Sequence, residues 1–555
     1  MHKFDILLLS TLALGAHATS HPSLPTVDLG YQVHRAISYN DTIKAYNFTN
    51  IPYAEPPVGN LRWRAPIPPK GVKKTIQDGS IGKICPQQSP NWTIAAIQFA
   101  TAWATNQLPS FNFTEAEEIA NSTPQTTDPR TTEDCLVLDV IVPKAVLEKK
   151  KSHGKKAPVL VWIYGGGYVS GTKESWGTPN RIIAASQEDG SDGIIWVAMN
   201  YRLGAFGFLA GPTMQKDGTA NAALYDQRLA LQWVQENIAK FGGDPDNVTV
   251  MGESAGAGSI MFHLLAQGGK HPVPFKRAIV QSIPLTVSVD PAQQESIFQK
   301  FLKILNVKSL EEARRLPSSA LIAANAQQIG AEVYDEFAFG PAVDDVYIPG
   351  PPAKLLLEGA FAKGIPLLSS HTAFEGTLFT DPRTIGNETA FALKLRANYP
   401  LMGEKDLSYV LNTLYPAVYD GSHPYTTSLD RNILMANEMY FAAAHQALLQ
   451  ATIHRGTEVY AWEFAVPPAI HGSDLVYTFY DGAAGVDPHV ASIMQHAIAG
   501  FAKCGEPDAG PLGFAFPRYG KQATTVNLNI NSSVTISDPT WNNRTLWLAQ
   551  TSWIG

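Results

Sequence analysis

The sequence predicts an open, doubly wound α/β fold, with a large, mostly parallel central sheet flanked by helices and long loop insertions. Three observations carry it. Apolar, β-branched runs recur along the chain, from Pro158 to Tyr164, Ile194 to Asn200, Val248 to Met251, Ala278 to Gln281, Pro366 to Ser370 and Val459 to Phe464. Runs without alternation suit strands covered on both faces. Helical periodicity falls between them, and that alternation of strand and helix favours a wound sheet.

Taken in order, the segment from Cys85 to Asp134 stands apart. It is rich in Thr, Asn, Pro and Ala, with Trp92, Phe99, Trp103, Phe111 and Phe113 scattered through it, and it reads as an excursion from the sheet. Further on, Leu224, Leu231, Val234 and Ile238 recur at helical spacing over 224–240, and Gly242-Gly243 ends that helix. The chain has 555 residues, of which 45% are hydrophobic and only 16% charged. A core of that size needs no disulfide scaffold, and we take 19–555 as a single domain. Net charge is −7, so nothing supplies the basic excess that phosphates demand, and no nucleic-acid partner is expected.

Lys3, the apolar run from Ile6 to Ala16 and the small-x-small triplet Ala16-His17-Ala18 predict a signal peptide over 1–18 and a secreted product. That run is too short to span a bilayer, and no stable membrane insertion is expected. Acceptors for N-glycosylation stand at Asn40, Asn47, Asn91, Asn112, Asn121, Asn387, Asn531 and Asn543, with Asn247 expected to be occupied less often because it opens a buried strand. Their clustering from Asn40 to Asn121 suggests a solvent-facing stretch. Three cysteines, Cys85, Cys135 and Cys504, allow one disulfide and one free thiol, and spacing alone leaves all three pairings open.

After the strand ending at Met251 comes Gly252-Glu253-Ser254-Ala255-Gly256, a Gly-x-Ser-x-Gly between a strand and a small-residue segment able to start a helix. A strained turn there lifts a serine hydroxyl above the sheet, and the flanking glycines relieve crowding. The positive end of the following helix favours developing negative charge. Tyr164-Gly165-Gly166-Gly167-Tyr168, directly after another strand, lets backbone N–H groups approach a reacting carbonyl oxygen. It lacks the register of a dinucleotide fingerprint or phosphate loop, and no metal-ligand spacing occurs, so no cofactor and no metal are expected.

Many ordered motifs then resemble one family, the type-B carboxylesterases, which include cholinesterases and a group of fungal lipases. They are Ile51-Pro52-Tyr53-Ala54-Glu55-Pro56-Pro57-Val58-Gly59, Leu61-Arg62-Trp63, Glu133-Asp134-Cys135-Leu136, Asn200-Tyr201-Arg202-Leu203, Asp226-Gln227, Phe241-Gly242-Gly243-Asp244-Pro245 and the serine segment itself. The resemblance implies an α/β-hydrolase fold and a carboxylic ester as the small-molecule substrate. It also implies a triad of Ser254, Glu375 in Phe374-Glu375-Gly376-Thr377, and His471 in His471-Gly472-Ser473-Asp474. The oxyanion hole falls to the N–H groups of Gly166, Gly167 and Ala255. A supporting shell follows in which Glu253 is linked to Ser282 and Asp474. By the same resemblance Cys85 pairs with Cys135, Cys504 stays free, and Arg62 and Glu133 form a structural ion pair.

Some residues depart from the family pattern. Ile283 stands where relatives often carry glycine, and the Cys85–Cys135 loop is longer than in cholinesterases. Trp92 is not at the spacing that would bind a quaternary ammonium. In the lipase branch this loop is a mobile lid, and its five aromatics suit either a lid's inner face or the anchors of a packed loop. The leading expectation is a secreted esterase acting on small to medium, fairly apolar esters. A lipase, an acyltransferase and, from another class, a binding relative are the alternatives; the last is disfavoured by the complete triad. The sequence does not set the oligomeric state.

Overall fold

A computed structural model of the chain describes residues 24–149, 155–530 and 532–553. The expected signal peptide over 1–18 and the acceptor Asn531 lie outside the described residues. The central sheet has eleven strands. In chain order they are β1 (Ser38–Asn40), β2 (Ala45–Pro52), β3 (Val137–Pro143), β4 (Ala157–Ile163), β5 (Ile195–Met199), β6 (Gly243–Glu253), β7 (Arg277–Gln281), β8 (Leu367–Thr372), β9 (Val459–Phe464), β10 (Thr524–Asn529) and β11 (Ser532–Ser537). Their spatial order is β11-β10-β9-β8-β7-β6-β4-β5-β3-β2-β1.

The strands from β10 through β5 are parallel, and the four outer strands β1, β2, β3 and β11 join antiparallel. The six apolar runs are all parallel strands. Every residue of β5, β7, β8 and β9 is buried, as a strand covered on both faces requires. β6 is longer than its apolar run, because Gly243 already pairs with Ala157 at the start of β4.

The predicted helix forms over Ala222–Asn237 and tightens into a 3₁₀ turn at Ile238–Phe241. Gly242 ends it at φ +92, a conformation that disfavours side chains, and a Cβ there would stand 2.7 Å from the Val146 carbonyl oxygen. Chain order reverses around β4, with β5 added on one side of it and β6 on the other. The carboxyl ends at such a reversal form the crevice where open α/β sheets bind ligands.

Cys85 and Cys135 are disulfide-bonded with their Cα atoms 5.0 Å apart, and Cys504 is free and exposed. Arg62 and Glu133 pair bidentately at 2.8 and 2.6 Å, almost wholly buried, and Arg62 Nη1 also donates to the Arg314 and Leu316 carbonyls. Between the cysteines the excursion forms α1 (Trp92–Ala104) and α2 (Phe113–Ser122). No helix among the described residues is long and apolar enough to cross a membrane.

The acceptor asparagines divide. Asn112, Asn121, Asn387 and Asn543 are exposed, and Asn40 and Asn91 are half-buried. Asn47 is half-buried too, but it sits on β2 between two neighbouring strands, and its buried Oδ1 has no hydrogen-bond partner. Asn247 lies inside β6, where its side chain accepts from Arg277 and donates to the Lys503 carbonyl.

Candidate active site

Ser254 sits at the carboxyl end of β6, immediately before α3 (Ala255–Leu265). Its backbone is at φ 53, ψ −127, a region that side chains rarely occupy. The flanking glycines permit the turn by absence: a Cβ on Gly256 would lie 2.0 Å from the Ile163 carbonyl oxygen, and one on Gly252 would lie 2.6 Å from the Gly256 carbonyl carbon. Ser254 N–H is occupied by the Gln281 carbonyl at 2.9 Å. Ala255 N–H belongs to the first turn of α3, where the helix itself offers no acceptor.

Next to it, the turn after β4 is closed by the Gly166 carbonyl, which accepts from Val169 and Ser170. Gly166 and Gly167 adopt φ +108 and +61, and a Cβ on Gly167 would meet the Phe337 ring at 2.2 Å. Gly167, Ser254 and Ala255 line one small cavity of about 50 Å³, and Gly166 precedes Gly167 in the turn.

His471, from the loop after β9, places Nε2 2.9 Å from Ser254 Oγ and Nδ1 2.6 Å from Glu375 Oε2. Glu375 follows β8 and is itself held: its Oε1 accepts from the Ser282 hydroxyl at 2.6 Å and from Thr372 N–H at 2.7 Å. Three residues separated by up to 217 positions therefore form one continuous hydrogen-bonded line. A serine proton can pass along it to an imidazole whose orientation a buried carboxylate fixes.

The supporting shell differs from expectation. The Ser282 hydroxyl goes to Glu375, not to Glu253. Ser282 N–H bonds to the Ser370 carbonyl of β8, which turns the residue toward the loop after β8 and away from β6. Glu253 instead approaches the imidazole directly, with Oε1 3.5 Å from His471 Nε2. Asp474 accepts from Gln281 Nε2 at 2.9 Å.

Burial by itself pushes the His471 imidazole down, but the charge of Glu375, its hydrogen bond and then Glu253 reverse this and raise it to about 9. Burial also works against the Glu375 carboxylate, and His471 overcomes it, holding the carboxyl below its usual range. Glu253 is lifted by burial to about 8, and Asp474 by burial and the nearby Glu375 to about 7. Of these three acids Glu375, which is hydrogen-bonded to the imidazole, is the one held below its usual range.

Sequence reasoning missed the residues that wall the cavity: Phe337, Phe379, Tyr440, Phe441 and Asp335. Phe379 and Phe441 pack their rings 5.3 and 4.6 Å from His471. Phe379 lies four residues beyond Glu375, a spacing that offered a signal. Tyr440 and Phe441 belong to a π-helical turn, Glu438–Ala442, that no sequence pattern announced. The excursion reaches the site as well. Trp92 packs against Phe337 and Phe379, and Trp103 against Phe374.

A family model described as the carboxylesterase family matches residues 33–546. Carboxylesterase patB of Penicillium expansum is 40% identical, over 92% of this chain and 92% of its own. The secreted triacylglycerol lipase LIP1 of Gibberella zeae is 29% identical, over 79% of this chain and 76% of its own. Among solved structures, EstA of Aspergillus niger superimposes with a TM-score of 0.77 at 23% identity, covering 96% of this chain and 98% of that one, a likeness of fold. With a serine turn at the crevice of an α/β-hydrolase sheet and a match that runs through nearly the whole described fold, the chain belongs to the carboxylesterase family and is a carboxylic ester hydrolase.

Proposed function

We propose that the protein is a secreted, N-glycosylated, single-domain serine esterase that cleaves small to medium esters through an acyl-enzyme on Ser254. The observation that carries this is the line Ser254 Oγ–His471 Nε2–His471 Nδ1–Glu375 Oε2, with contacts of 2.9 and 2.6 Å. Ser254 Oγ attacks the ester carbonyl while His471 takes its proton. Gly166, Gly167 and Ala255 donate N–H groups to the oxyanion. Collapse expels the alcohol, which receives the proton from His471. Water, deprotonated by His471, then attacks the acyl group and frees Ser254. Glu375 orients His471 and stabilises its charged form without taking the proton.

A cavity walled by Phe337, Phe379 and Phe441 supports a compact apolar portion in the substrate. The secreted lipase relative and the apolar leader support export, and the exposed Asn112, Asn121, Asn387 and Asn543 support glycosylation. Turnover of aryl esters of increasing acyl length tests this. The expected profile peaks at acetate to butyrate. A peak at long chains that rises further at an oil–water interface would overturn the small-ester assignment in favour of a lipase, with α1 and α2 as its lid. Silence on every ester would point to acyl transfer or binding.

The site also sets a pH dependence. His471 accepts the Ser254 proton only when neutral, so kcat/KM rises with pH through the imidazole pKa. Glu253, as a carboxylate, raises that pKa. Glu253→Gln removes the negative charge and is expected to move the acidic limb of the profile to lower pH by about one unit. A limb that stays in place or moves upward contradicts the electrostatic role given to Glu253.

A further inference from the structure

The wall facing Ser254 is not apolar throughout. Asp335 lines the small cavity with Ser254 and also a neighbouring cavity of about 190 Å³, the two sharing Gly167, Phe337 and Tyr440 as well. Its side chain is only 4% exposed. The residue is held at φ +64, two positions before the Phe337 ring that presses on Gly167, so the segment that shapes the glycine loop also fixes this carboxylate.

A polar cluster surrounds it. Lys394 Nζ lies 2.8 Å from Asp335 Oδ1, the Tyr440 hydroxyl donates to Oδ2 at 3.0 Å, and Asn398 Nδ2 donates to both oxygens, at 3.2 Å to Oδ1 and 3.4 Å to Oδ2. Asn398 Nδ2 also donates to the Tyr440 hydroxyl. Asn398 Nδ2 has only two N–H groups for the Tyr440 hydroxyl and both carboxylate oxygens, so one N–H is shared and Oδ2 is firmly bonded by Tyr440 alone. Asn398 Oδ1 is buried with no hydrogen-bond partner, on a residue that lines the larger cavity.

Buried polar groups normally have partners, so an unmatched acceptor on a cavity wall invites a donor from whatever fills the cavity. A buried ion pair is seldom the most stable way to fill such a position, which leaves recognition as the better reason for its presence here. The wall already holds a cation, Lys394, paired at 2.8 Å with Asp335 and more loosely with Glu336, so a neutral donor suits it better than a second cation. Tyr440 is presented by the same π-helical turn that sets Phe441 against His471, a type of turn found frequently at functional sites.

We propose that Asp335, Asn398 and Tyr440 form a subsite for a hydroxyl group of the substrate, so that the preferred ester is a small hydroxylated one and not a plain hydrocarbon ester. The hydroxyl donates to Asp335 Oδ2 or Asn398 Oδ1 while the apolar part lies against Phe337, Phe379 and Phe441. This rests on the assignment of Ser254 as nucleophile, because the subsite is defined by its place beside that serine. Burial lifts the Asp335 carboxyl to about 6 against the pull of Lys394, consistent with an acceptor poised in a dry wall.

The test compares kcat/KM for two matched pairs: an aryl butyrate against its 3-hydroxybutyrate, and propyl butyrate against 3-hydroxypropyl butyrate. The first pair places the hydroxyl on the acyl side and the second on the alcohol side. Wild type is expected to favour the hydroxylated member of one pair by about 10-fold or more, since a site built to bond a hydroxyl rejects the analogue lacking it. Asp335→Asn, in which Lys394 keeps its bonds to the Tyr334 carbonyl and Glu336, is expected to bring that ratio close to one. Tyr440→Phe, which removes only a hydroxyl, is expected to lower it partway and carries the test if the first variant does not fold. A wild-type ratio near one for both pairs, or a preference that survives in the folded variants, overturns the subsite while the plain-ester turnover leaves Ser254 assigned. No turnover of any of the four esters overturns both.

Discussion

Ser254→Ala is expected to lower kcat/KM for an aryl ester by about 10⁵- to 10⁶-fold, the range that loss of a serine nucleophile produces when its base is left intact. The size follows from the proposed chemistry. Without Oγ no acyl-enzyme forms, and what remains is the binding and oxyanion stabilisation that the glycine loop gives to attack by water. Folding should be untouched. Alanine keeps the Cβ of the strained turn at φ 53 and removes only a hydroxyl bonded to His471. A thermal midpoint within about 2 °C of wild type, read by circular dichroism, separates the chemical loss from unfolding. Residual activity above a thousandth of wild type in a folded variant would place the nucleophile elsewhere.

Glu375→Gln carries the second-largest expected effect, about 10⁴-fold in kcat. The amide oxygen can take over from Oε1, accepting from Ser282 and Thr372 as the carboxylate does. That orientation aims the amide nitrogen at His471 Nδ1, where Oε2 now stands at 2.6 Å. A donor there obliges Nδ1 to accept, so the ring proton moves to Nε2 and faces Ser254. The imidazole is then the wrong tautomer to take the serine proton. Because both substitutions act on one line of hydrogen bonds, the double variant is expected to be no slower than Ser254→Ala alone. A Glu375→Gln enzyme within 10-fold of wild type would mean that the carboxylate only props the loop after β8.

What the sequence showed, and what it concealed, follows from the range of the forces involved. The parallel strands were readable because each is buried on both faces and so carries an unbroken apolar run, as from Val459 to Phe464. The Ser254 turn was readable because crowding against Ile163 admits only glycine at 256. The antiparallel margin was not, since β1 is a short strand of half-exposed polar residues, Ser38–Asn40, and β2 places a glycosylation motif inside the sheet at Asn47.

Glu375 and His471 were reached through the family resemblance. One histidine among fourteen has no local signature, and the contact that singles it out closes over 217 residues. Resemblance named Ser282 as a supporting residue but could not say where its hydroxyl points, and the bond to Glu375 depends on the register of β7 against β8. The cavity wall was the least legible part. Asp335, Tyr440 and Phe441 come from segments with no periodicity that marks them, and they meet only when the loop before β8 and the π-helical turn pack over the sheet.

The central claim is that Ser254 is the nucleophile, and reaction of the folded protein with a fluorophosphonate, followed by peptide mapping, tests it most directly. The account predicts a single adduct on Ser254, formed in step with loss of ester hydrolysis and absent after Ser254→Ala. Loss of activity with the adduct on another residue, or full activity with Ser254 modified, would contradict it.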